Sequence, residues 1–268
     1  MHSHDNGRNK LRKLVAEAIP AQPQLPLVHN TDAYVFDEVL TSSQIEPQSC
    51  NVFAGETLIY TFYGRPSFRP NMSELATSMD HYLPVCLIFK QSFSKKIRRV
   101  FPFDTGAFVN DFYKSYLHRK MVLGDFALEP DLETPGRVIS TFFGTARSYL
   151  QARPDSPVEL DPSQFEARSY AALIDAKDSN AMDSRGSGIE VQIADAIAVA
   201  DWVEAVIVPS TFADSAISKE LNRLKIEILP YDVHGRMRPN EYFSSISDIC
   251  IHYYAKKGIL GEIEGKNA

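Results

Sequence analysis

The chain is poor in several things, and each shortage closes a class of explanation. Its 268 residues hold only three cysteines, Cys50, Cys86 and Cys250, with no C-x-x-C pair. That spacing supplies neither a disulfide framework nor a zinc site, and it suits a reducing compartment. No run of 18 apolar residues occurs, so no membrane-spanning helix is expected. The first residues, Met1 to Asn6, lead into no apolar core, so no secretory signal is read there and a cytoplasmic location is expected. Basic residues are in deficit: net charge is −6, which argues against broad electrostatic binding of nucleic acid. Phosphate-binding glycine loops of the G-x-G-x-x-G or Walker type are missing, as is H-E-x-x-H, so no metal is called for.

What remains is an ordinary globular composition, 44% hydrophobic and 23% charged. Residues 1–26 read as a short basic helix (8–19) and a lead-in carrying Pro20, Pro23 and Pro26. Residues 27–268 read as one α+β domain with a mostly antiparallel core. Strands are expected at 27–29, 57–63, 84–90, 138–143, 189–193 and 205–209. Helices are expected over 33–40, 111–120, 144–152, 164–176, 215–224 and 241–257. Thr31 or Asp32 would cap the first of these. Phe101–Phe108 reads as a loop in which Asp104 caps local amides and Gly106 takes an unusual backbone angle. Residues 179–188 read as a mobile loop. The run Lys95-Lys96-Ile97-Arg98-Arg99 reads as a basic surface loop.

Three separated fragments carry the chemistry. Leu27-Val28-His29-Asn30-Thr31 ends an apolar run in a histidine. Leu58 to Pro66 carries Tyr60, Tyr63 and Arg65. Arg185 to Ile193 places Glu190 and Gln192 on one face of a strand whose other face is Ile189, Val191 and Ile193. Cleaving an N-glycosidic bond to a good leaving group passes through an oxocarbenium-like ribose. That reaction needs a carboxylate for the cation, an aromatic face for the leaving group, a polar side chain for the ribose and an arginine for pyrophosphate. Glu190, Tyr60 or Tyr63, His29, and Arg65 or Arg69 are of these types. Tyr60 and Tyr63 have opposite parity on a strand, so one of the two would line a cleft.

These fragments, in this order over roughly residues 27–209, resemble the ADP-ribosyltransferase superfamily in its His-Tyr-Glu branch, and within it the DarT-type toxins of bacteria. The resemblance implies a split antiparallel β-sheet core with surrounding helices, binding NAD as co-substrate. It implies Glu190, Tyr60 and His29 as catalytic residues. NAD contacts fall to His29, Thr31, Tyr60, Tyr63, Arg65 and Arg69, and acceptor contacts to Arg185 and Gln192. The acceptor would be nucleic acid or protein, and a toxin or antiphage role with an antitoxin or immunity partner would follow. Gly188 stands where arginine-modifying members carry Gln or Glu, which disfavours arginine as acceptor. An NAD glycohydrolase would use the same pocket. From another class, a non-catalytic nucleotide or nucleic-acid binding module would keep the fold without turnover. The single Asp104-Thr105-Gly106 triplet would make an aspartic protease only in a homodimer.

Overall fold

A computed structural model of the protein describes residues 8–67, 79–176 and 184–260. In chain order its strands are β1 (Leu27–Asp32), β2 (Gln44–Ile45), β3 (Gln48–Ser49), β4 (Thr57–Tyr63), β5 (Pro84–Phe89), β6 (Ile97–Phe101), β7 (Glu190–Ile193), β8 (Ile197–Ala198), β9 (Val203–Pro209) and β10 (Glu227–Tyr231). Its α-helices are α1 (Lys10–Ala16), α2 (Ala33–Ser42), α3 (Thr105–Val109), α4 (Thr134–Phe142), α5 (Ala146–Leu150), α6 (Phe165–Ile174), α7 (Val199–Trp202), α8 (Ala216–Arg223) and α9 (Phe243–Lys256). The fold is mixed, α+β, and it divides into two compact units. Among the described residues no helix is long and apolar enough to cross a membrane.

The first unit comprises residues 1–24, 47–63 and 95–195. Its strands lie in the order β3-β4-β7-β6, every neighbour antiparallel. Thr57–Tyr63 is a run of β-branched and aromatic residues, and it pairs as a strand over just that stretch. The lead-in helix α1 buries Leu11 and Val15 and packs on α4 and α6. Phe103 centres an aromatic cluster with Phe108, Tyr113 and Phe126.

The second unit comprises residues 25–46, 64–94 and 196–268. Its strands lie in the order β10-β9-β5-β1, with β9 and β10 parallel and the rest antiparallel. The central strand β5 is buried at every position, which is why Pro84–Phe89 reads as an unbroken apolar run. Helix α2 starts on Asp32, whose carboxylate accepts from the Val35 N–H at 2.9 Å, and it ends at Ser43 in the left-handed region. Cys86 on β5 and Cys250 on α9 are fully buried neighbours, and burial holds the Cys86 thiol well above its usual range.

Several expectations give way. Residues 138–143 are not a strand. Val138, Ile139 and Phe142 recur at helical spacing and form the buried side of α4, and Pro135 stands in its first turn, where a missing N–H costs nothing. Residues 111–120 form turns, because the local helix is the earlier α3, capped by Asp104. Phe101–Phe108 is therefore not a loop throughout, and Gly106 sits within a helix without a left-handed angle. The basic run divides: Lys95 and Lys96 lie in loop, as expected, while Ile97 to Arg99 open β6. Within 179–188, residues 179–183 lie outside the described residues, and Ser184–Ser187 form a 3-10 turn.

Candidate functional site

The antiparallel register of the first unit decides which side chains share a face. Tyr60 pairs with Gln192 and Phe62 with Glu190 across β4 and β7. Arg99 pairs with Gln192 and Phe101 with Glu190 across β6 and β7. Paired positions project to the same side of a sheet, so Tyr60, Glu190, Gln192 and Arg99 line one face. Strand β7 is flanked on both sides, so its two polar residues are interior: Glu190 is 1% exposed and Gln192 0%. An edge strand facing water would show the same alternation in sequence; here the alternation marks a buried polar row.

Glu190 is held from three directions. The Thr105 N–H donates to Oε2 at 2.9 Å, the Thr105 hydroxyl donates to Oε1 at 2.9 Å, and Nε2 of Gln192 donates to Oε1 at 2.7 Å. Thr105 opens α3, and Asp104 just before it turns its carboxylate onto the Ala107 N–H at 2.8 Å. Burial is the main cause that raises the Glu190 carboxyl, to about 8, and the like charge of Asp104 adds to it. The bonds from Thr105 and Gln192 pull the other way.

The network runs on in both directions. Tyr60 Oη lies 2.7 Å from the Cys50 sulfur, which also accepts from the N–H groups of Val52 (3.2 Å) and Phe53 (3.0 Å). The Thr105 hydroxyl reaches the Tyr60 phenol as well. That phenol is raised far above its ordinary value, first by burial, then by Cys50 and the Glu190 charge. On the far side Arg99 donates to Gln192 Oε1 at 3.4 Å and grips Glu56 with two nitrogens at 3.0 and 2.5 Å. That grip, first of its causes, lowers the Glu56 carboxyl to about 2. The Phe53 ring underlies the Arg99 guanidinium at 4.1 Å.

The structure therefore brings Tyr60, Glu190 and Gln192 together. Tyr63 is a core residue; its carbonyl accepts from the Tyr149 hydroxyl at 2.7 Å. Arg185, on the 3-10 turn before β7, stacks its guanidinium on Phe112 at 4.7 Å and accepts the Asp104 N–H on its carbonyl. His29 (half-buried), Thr31 and Arg65 (both buried) belong to the second unit, the first two on β1 and Arg65 just beyond β4. Arg69 lies outside the described residues. Thr105, Cys50, Arg99 and Glu56 escaped the sequence reading as members of this network. The one local signal was the Asp104-Thr105-Gly106 triplet, whose threonine is the member that matters. A cavity of about 600 Å³ lies elsewhere in the unit, against α6 and the turns at 115–121. Among the described residues no cluster of metal-ligating side chains occurs. No family model, curated protein or solved structure matches this chain.

Proposed function

We propose that the protein is an NAD-dependent mono-ADP-ribosyltransferase, with Glu190 as its working carboxyl and Tyr60 as the aromatic partner. The observation that carries this reading is the desolvated Glu190 carboxyl, coupled to the Tyr60 hydroxyl on the adjacent strand. A carboxyl raised to about 8 is largely protonated at neutral pH and can donate to a ribose hydroxyl. The positive charge of a bound nicotinamide riboside, growing onto the ribose as the bond breaks, favours the ionised form. The carboxyl then loses its proton to solvent, and the carboxylate left behind, held by Thr105 and Gln192, stabilises the developing cation. The acceptor is a macromolecule, nucleic acid or protein; water in its place gives the glycohydrolase.

One observation favours a second reading. Glu190 is almost wholly buried and satisfied by its own chain, which suits a strut tying β7 to the start of α3 in a non-catalytic nucleotide-binding module. Incubation with radiolabelled NAD and total protein, RNA and DNA separates them. The transferase releases nicotinamide and labels one acceptor class. Glu190→Gln, nearly isosteric, lowers release by about a hundredfold or more. Binding of NAD without release by the native chain establishes the module instead. Release without labelled macromolecule establishes the hydrolase.

A further inference from the structure

The cavity of about 600 Å³ in the first unit contains none of the Glu190 network. Its wall is built by α6 and by the turns after α3. Arg8, Lys120 and Arg168 bring three cations to it, and His118 stands beside them. The rings of Tyr116 and Phe165 contribute its flat apolar surface, and Phe165 is half exposed although it opens a helix.

The cations are not equivalent. Arg8 donates to Glu166 Oε1 at 2.7 Å, and Glu166 is fully buried, so that charge is largely spent within the protein. Among the described residues Lys120 and Arg168 form no ion pair within 4.0 Å, although the Arg168 charge acts on the Asp161 carboxyl, and both are exposed. Against them the wall holds a single carboxylate, Asp125, whose Oδ2 is taken by the Val122 N–H at 2.9 Å. In a chain of net charge −6, this excess of positive charge in a concavity is a local arrangement, and concave walls of low dielectric focus it.

We propose that this cavity binds a nucleotide-sized phosphate ester: Lys120 and Arg168 take the phosphate, and Tyr116 and Phe165 flank a flat ring. The volume falls in the range of small-molecule sites and far exceeds what inorganic phosphate fills, which leaves room for an organic body beside the anion. An arginine beside a lysine suits phosphate, the one by its planar fork and the other as a compact charge. Ring faces suit a base or another flat heterocycle. The assignment is independent of the Glu190 reading, because no residue of the cavity belongs to that network.

The test is calorimetric titration with ADP, AMP, inorganic phosphate and a single-stranded DNA oligonucleotide. It is run on the native chain and on the double variant Lys120→Ala/Arg168→Ala. Both replaced cations are exposed, so the double variant keeps its melting temperature. ADP is expected to bind the native chain, to weaken as salt rises, and to lose at least tenfold in affinity in the double variant. Equal affinity in the double variant overturns the proposal, as does an absence of ADP and AMP binding to the native chain. Phosphate binding as tightly as ADP reduces the cavity to a plain anion site and removes the organic ligand. Oligonucleotide binding through Lys120 and Arg168 without ADP binding makes the face a nucleic-acid contact. Absence of nicotinamide release by the native chain, with ADP binding intact, removes the transferase reading and leaves this site standing.

Discussion

At Glu190, burial and the Asp104 charge oppose three donated hydrogen bonds, and burial wins. The folded chain keeps a proton up to about pH 8 that the unfolded chain gives up near 4.5. The stabilisation this provides is complete below 4.5 and is lost as pH rises towards 8, by up to about 5 kcal/mol. Denaturant titrations from pH 5 to 8.5 should show that decline, and Glu190→Gln should flatten it. Asn30 poses the converse case. It is 3% exposed on β1, and neither its amide nitrogen nor its oxygen has a hydrogen-bond partner. Replacing an unsatisfied amide by an apolar group of similar volume removes a desolvation cost. Asn30→Leu should stabilise the protein by about 1 kcal/mol, read from the urea midpoint at unchanged slope.

Helix α3 is only five residues long, yet it delivers both donors of Thr105 to Glu190. Removing its cap has two opposed effects. Asp104→Ala loses a helix N-cap, which costs about 1 kcal/mol. It also removes the like charge next to Glu190, so the pH at which stability falls should move below 8; the same denaturant series reads both. At the end of α4 the chain turns at Gly144 with φ +84°, and an added Cβ would stand 2.6 Å from Asp155 Oδ2. Asp155 cannot readily give way, since its N–H donates to the Phe143 carbonyl and the Ser148 hydroxyl donates to its carboxylate. Gly144→Ala should cost on the order of 2 kcal/mol, measured as a lowered melting temperature. Elements were legible where one force dominated. Thr57–Tyr63 and Pro84–Phe89 declare themselves by β-branched and aromatic runs. Val138–Phe143 carries the same residue types but buries them at helical spacing after a proline, so composition and period conflict and period decides.

Across the molecule, the α+β class followed from alternating strand and helix patterns. The pairing of Glu190 with Thr105 did not, because 85 residues separate them and no local pattern encodes the approach. The same holds for Arg99, a member of a basic run in sequence and a member of the polar row through its register with Gln192. Tyr60 and Glu190 were legible because each is a polar or amphipathic residue interrupting an apolar strand. Tyr63 fits that description equally and turns out to be packing. The chain passes between its two units after residues 24, 46, 63, 94 and 195. During synthesis, therefore, neither unit can close early. Thr61 waits for Val191, 130 residues later, and β9 and β10 of the second unit come later still. At ribosomal rates of roughly 5–20 residues per second, β4 and β5, whose earlier partners are β3 and β1, each spend many seconds with one edge unpaired, waiting for β7 and β9. Slower growth at low temperature or extra holding chaperone should raise the soluble yield, and no single truncation should release either unit as a folding piece.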